Sequence, residues 1–141
     1  PLAAGGTSAA MGRVGVFREA MKAAEALVFV KNKLNRPVLA YGGAVTEAAI
    51  RKVALCGGAG TSFMAEAAAA GADMFVTGDM KYHDAQEAEK EGILLVDGGH
   101  YGTEFPVVFE LQRILSAAGG EKNWHVDFIV DSTSKDFISY I

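Results

Sequence analysis

Cysteine is nearly missing: Cys56 is the only one in 141 residues. A lone thiol excludes a disulfide framework within the chain and any cysteine-rich zinc site. It suits a reducing compartment, so a cytoplasmic protein is expected. Basic blocks are missing too. The net charge is -4 and no cluster of Lys or Arg stands out, which argues against nucleic acid as a partner. No apolar run is long enough to span a bilayer, so no membrane association is expected. Residues 1–10 are small and Gly/Ala/Ser-rich, without the charged and apolar regions of a signal peptide. Because Pro1 is not an initiator residue, 1–11 is expected to be a flexible arm or a truncated end. No internal repeat is present.

Half of the residues are hydrophobic, enough for one packed core, and residues 12–141 are expected to form a single domain. The spacing of Met21, Ala24, Leu27 and Val28 predicts a helix over 17–34, stopped by Asn35 and Pro37. A short strand is expected over 38–41, a turn at Gly42-Gly43, and one helical turn over 46–50. A regular alternation follows: strand 52–56, Gly-rich loop 57–60, helix 62–70, strand 73–77, helix 84–91, strand 93–97, helix 103–118 and strand 126–130. Phe105, Val108, Leu111 and Leu115 are expected to face the core. This is βαβ patterning, so the fold class is α/β, a mostly parallel sheet with helices on its faces. Ligands in such sheets sit at the carboxyl ends of the strands. Three loops qualify: 57–62, 78–83 and 98–104.

The 98–104 loop carries His100 and Glu104, four residues apart at a helix start and so on one face. An imidazole beside a carboxylate suits zinc, iron or manganese. The plain structural alternative makes Thr103 an N-cap and His100 a turn residue. The 78–83 loop carries Asp79 and His83 at the same spacing, with Lys81 and Tyr82 between them, a plausible acid/base edge. Its alternative is an Asp cap and a surface His. The run Gly57-Gly58-Ala59-Gly60-Thr61-Ser62 lies between strand and helix, and its backbone N–H groups at Gly58 and Gly60, with Thr61 and Ser62, could receive an anion. No Gly-Lys-Ser/Thr follows, so it is not a P-loop. Gly58-x-Gly60 opens a dinucleotide fingerprint in which Asp79 would take the ribose, but Phe63 stands where the third glycine belongs. Cys56 reads as core and His125 as a strand-edge residue.

Together the segments Gly12-Arg13-Val14-Gly15, 53–60, Gly71-Ala72-Asp73, Thr77-Gly78-Asp79, Lys81-Tyr82-His83 and 98–104 resemble the GTP cyclohydrolase type 2 family, also called the Ngg-interacting-factor-like family. The resemblance covers about residues 12–105 and implies one lobe, the C-terminal half, of a two-lobed intertwined α/β fold. It implies a pair of divalent metals (Zn, Fe or Mn), with His100 and Glu104 as ligands and Asp79 and His83 lining the cleft as catalytic groups. It also implies a ring-shaped homo-oligomer. The family's remaining ligands, a His-His-Pro motif and a later Asp, are missing from this sequence. An incomplete dinuclear site, metal-free in this chain alone, is therefore expected, with an N-terminal half implied elsewhere.

The function the resemblance implies is a metal-dependent hydrolase acting on a nucleotide or another phosphate-bearing small molecule. Two alternatives stand beside it: a non-catalytic metal- or nucleotide-binding scaffold, and a dinucleotide-binding module that binds NAD without metal.

Overall fold

The computed structural model describes residues 11–44 and 49–141. The expected arm at 1–10 and most of the expected helical turn at 46–50 lie outside the described residues; Ile50 itself opens a strand.

The three apolar runs bounded by glycine become the parallel centre of a sheet. These are β3 (Ile50–Leu55), β4 (Met74–Thr77) and β5 (Leu94–Asp97). Pairing puts Val53 opposite Met74 and Val76 opposite Val96. Two antiparallel edges complete it: β1 (Arg13–Met21) beside β3, and β2 (Ala40–Gly43) beside β5. Among the described residues the order is β1-β3-β4-β5-β2. Strands buried on both faces are apolar at successive positions. Met74, Phe75 and Val76 therefore feed two cores. Phe75 packs with Met64, Ala67, Ala88, Ile93 and Leu95 on one face. Met74 and Val76 pack with Ala23, Ala26, Val30 and Leu94 on the other.

Helices cover both faces: α1 (Ala23–Lys33), α2 (Met64–Ala69) entered through a 3-10 turn at Thr61–Phe63, and α3 (Tyr82–Glu91), ended by left-handed Gly92. Two short-range helices close the chain, α4 (His100–Glu104) and α5 (Pro106–Glu121).

Five sequence expectations are corrected. Residues 17–21 are strand, not helix: pairing with β3, which joins Met21 to Ile50 past an irregularity, overrides an apolar spacing that fits either state. The helix starts only after Lys22, whose N–H donates to the Glu25 carboxylate at 3.0 Å. Gly42-Gly43 is strand rather than turn. A Cβ on Gly42 would lie 2.7 Å from Ala85 Cβ, so the glycine admits α3 close to the sheet edge. The helix expected over 103–118 starts earlier, at His100, and splits at Phe105. Pro106 lacks the N–H that would continue α4 but suits the first turn of α5, which runs through Gly119-Gly120. Residues 126–130 pair with no strand among the described residues. They run beside α5, where Gln112 Nε2 donates to the Phe128 carbonyl at 2.8 Å. Leu111 and Leu115, expected in the core, are 49% and 39% exposed and line an open groove between α5 and residues 127–130.

Phe75→Ala should cost about 3–5 kcal/mol in urea unfolding, because the ring is fully buried in the central strand. Leu111→Ala should change stability by no more than about 0.5 kcal/mol. A comparable loss at Leu111 would mean that its face is covered in solution.

Candidate functional site

The loops after β3, β4 and β5 converge at the carboxyl edge of the sheet, and two side chains at strand ends hold them together. Thr77 closes β4 and is wholly buried. Its hydroxyl donates to the Gly58 carbonyl at 2.9 Å and accepts the Gly60 N–H at 2.9 Å. Asp97 closes β5. Its two carboxylate oxygens accept the Gly99 N–H at 2.7 Å and the Met80 N–H at 2.9 Å, tying the 78–81 loop to the 98–99 loop. Thr103 joins the third pair. Its hydroxyl bonds back to the Gly99 carbonyl at 2.9 Å and accepts the Gly58 N–H at 3.0 Å. Thr103 is therefore a bridge within α4 and not its N-cap; Gly99 occupies that place.

This frame sets one imidazole between two carboxylates. Asp79 lies in the left-handed region at φ +58°, unusual for a residue with a side chain. From there its carboxylate reaches His100 Nδ1 at 2.7 Å. On the other side His100 Nε2 is 3.3 Å from Glu104 Oε2, one turn along α4. Gly58 forms the floor: a Cβ there would lie 2.5 Å from Glu104 Oε1 and 3.3 Å from His100 Cε1. All three charged side chains are about half exposed. The hydrogen bond to Asp79 first, and then the charge of Glu104, raise the His100 pKa above its ordinary value.

His83 does not join this cluster. Its Nδ1 meets Gln86 Oε1 at 3.0 Å and its ring lies edge-on to Tyr82. The expected anion loop also differs from the sequence reading. The Gly58 and Gly60 N–H groups both donate to threonine hydroxyls, so neither faces an incoming phosphate. Thr61 and Ser62 keep partly open positions at the start of the 3-10 turn. The same bonds weigh against a dinucleotide cradle, and Asp79 holds His100 instead of standing free for a ribose. Cys56 is buried, and burial pushes its thiol pKa up, which leaves an inert core sulfur.

The sequence model of the Duf34/NIF3 (NGG1p interacting factor 3) family matches residues 4–136. The chain belongs to this family. Among its relatives, a Streptococcus pneumoniae protein called GTP cyclohydrolase 1 type 2 homolog is 39% identical over 92 residues, which are 65% of this chain and 34% of that protein. A Clostridium perfringens protein of the same name is 30% identical over 135 residues, 96% of this chain and 50% of its own. The crystal structure of a Staphylococcus aureus protein superposes with a TM-score of 0.85 at 30% identity, over 92% of this chain and 37% of that one. The chain thus spans a third to a half of the length of these Duf34/NIF3 proteins.

The family resemblance implies a metal, and the donor set here fits one in part. Asp79 on Nδ1 fixes the tautomer that leaves the Nε2 lone pair free, the usual support of a metal-binding histidine. Nε2 and the Glu104 carboxylate then face the same space. Among the described residues, however, no group of three or more His, Cys, Asp or Glu side chains is arranged to hold an ion. Two ligands fall short of the three or four that a retained cation needs.

Thr77→Val keeps the shape and strands the Gly60 N–H, so it should destabilise the chain by about 1–3 kcal/mol and shift the Gly58 and Gly60 amide resonances. NMR titration should place the His100 pKa above the ordinary histidine value, and Asp79→Asn should lower it more than Glu104→Gln. The sign follows from the raised folded value. The pair's contribution to stability is fully present below the unfolded-state pKa and is lost as pH rises through the folded-state pKa. A His100 pKa that ignores Asp79→Asn would show that the contact does not persist in solution.

Proposed function

We propose that this chain supplies His100 and Glu104 to a divalent-metal site completed by groups outside it, and that the complete protein is a metal-dependent hydrolase. One observation carries the reading: an imidazole with a carboxylate on Nδ1 and a second carboxylate facing Nε2. In this arrangement Asp79 is a positioning residue for His100, while Glu104 and the Nε2 lone pair are the ligands. A divalent ion would supply Lewis acidity to a bound water and to a substrate oxygen. This chain's own part is to hold two ligands one helical turn apart, over a glycine floor whose missing side chain lets the backbone approach them closely.

The substrate class that fits is a nucleotide or another phosphate-bearing small molecule. The relatives' name, GTP cyclohydrolase 1 type 2 homolog, supports it, and so does the cationic Lys81 on the rim, with the hydroxyls of Thr61 and Ser62 in the neighbouring loop. His83, exposed at the first turn of α3, is the candidate proton carrier at that rim, since its ring is not engaged by a carboxylate. No helix among the described residues is long and apolar enough to cross a membrane.

Elemental analysis and Zn2+ or Mn2+ titration test the proposal on this chain beside a full-length relative from the family. The full-length protein should hold divalent metal, and the change equivalent to His100→Ala should remove it. The chain alone should bind more weakly than about 1 µM. Tight stoichiometric binding by the chain alone would overturn the shared site. Full metal retention after the His100→Ala change would overturn the ligand assignment.

A further inference from the structure

Behind α4, on the side away from Gly58, lies an arginine that the site does not use. Arg36 follows the end of α1, and its side chain is only 8% exposed. Long cationic side chains are rarely buried so far without a purpose in packing or pairing. The position comes at a cost, because Arg36 Nε is a buried nitrogen with no hydrogen-bond partner among the described residues. Two glycines of the metal-site loop make room for it. A Cβ on Gly102 would lie 2.5 Å from Arg36 Cδ, and one on Gly99 would lie 3.1 Å from Arg36 Nη2. α4 is thus held from both sides, by the Gly58 N–H bond to Thr103 in front and by the arginine stem behind.

The arginine is in turn held by the last residues of the chain. Asp136 pairs with Arg36 Nη2 at 2.8 Å and is itself set by the Ile138 N–H at 3.0 Å. The Tyr140 ring lies over the guanidinium, 5.2 Å from ring centre to Cζ. The Tyr101 hydroxyl, from α4, donates to the Ser134 carbonyl at 3.0 Å. One contact, Tyr101 to Ser134, therefore joins the stretch 134–140 directly to the five-residue helix, and two more, from Asp136 and Tyr140, reach it through Arg36.

We propose that Arg36 is a positioning residue for His100 and Glu104, and that segment 134–140 is the strap that locks it against α4. A helix of one turn has little stability of its own. Its side chains keep a fixed relation only if its backbone is pinned from outside, and the strap pins the half of α4 that Thr103 does not. The state of the strap then sets the geometry of the ligand pair. Its bearing on metal rests on the function proposed above; its bearing on the geometry of α4 does not.

Asp136→Asn in the whole chain tests this, with amide hydrogen exchange and 1H–15N spectra as the readout. Exchange at Thr103 and Phe105 should accelerate at least ~tenfold, while Val76 and Leu95 in the central strands keep their protection. Arg36→Lys, which preserves the charge facing Asp136, should retain part of the protection that Arg36→Met loses. Tyr101→Phe, which removes one strap bond and leaves the fold intact, should give a smaller change of the same kind. Unchanged exchange at α4 in both Asp136→Asn and Tyr101→Phe would overturn the strap. Equal loss across α4 and the central strands would overturn it as well, since Arg36 would then be a general stabiliser. Added Mn2+ separates the two proposals. If it broadens no His100 or Glu104 signal in the unmodified chain or in a full-length relative, the metal reading fails. The strap is still judged by the exchange data.

Discussion

The hydroxyl of Thr77 is the contact on which the carboxyl edge of the sheet depends. It is one atom, buried at the end of the central strand, and it both donates and accepts across the Gly-rich loop. With the loop held there, the Gly58 N–H points at Thr103 and fixes the front of α4. Asp97 extends the same logic one strand along, capturing two backbone N–H groups from two different loops. Only then does Asp79, in its left-handed conformation, reach an imidazole 21 residues away. The site is a chain of dependencies in which side chains at strand ends hold backbone and the backbone aims the carboxylates.

That ordering explains what could be read in the sequence. The central strands and the three loops were legible, because strands buried on both faces are apolar runs with glycine at their ends. His100 and Glu104 were legible as a pair, since their spacing is a local property of one helix. Asp79 was legible as a candidate, but its partner was not, and it supports His100 where the sequence suggested direct chemistry. Thr77 was read only as part of the Thr77-Gly78-Asp79 segment and Asp97 only as a strand end, neither with a role, and Arg36 was not singled out. A threonine or aspartate at a strand end has no local mark of its role; a Thr-Gly-Asp or Asp-Gly-Gly step at the end of an apolar strand is the one signal that could have drawn attention to them. The edge strand β1 failed for another reason. Phe17 and Met21 fit a helical spacing as well as an extended one, and only the pairing with β3 decides between them.

The exposed side of α5 belongs to the same physics seen from outside. Val107, Leu111 and Ile114 recur at helical spacing and are each about half exposed. Beside them, residues 126–130 have the composition of a strand and no strand partner among the described residues. Contiguous apolar surface of this kind usually marks a place where other protein packs. The chain spans a third to a half of the length of its relatives.

The charge pattern around His100 ties these points together. Two carboxylates face one imidazole, and the raised pKa shows that the cluster favours a positive charge at that spot. A proton on Nε2 would meet that demand. A divalent ion at the same nitrogen would meet it better, because it would satisfy Glu104 directly and leave the Nδ1–Asp79 bond untouched. On the metal reading proposed above, proton and ion would compete for one lone pair, and the competition would turn against the proton as pH rises. Removing Asp79 would weaken both contenders, whereas removing Glu104 would cost the metal a ligand and the proton only a neighbour. On that reading the two carboxylates, similar in charge and exposure, would be unequal in role: Asp79 would hold the ring from Nδ1 at 2.7 Å, and Glu104 would share the ion that Nε2 faces.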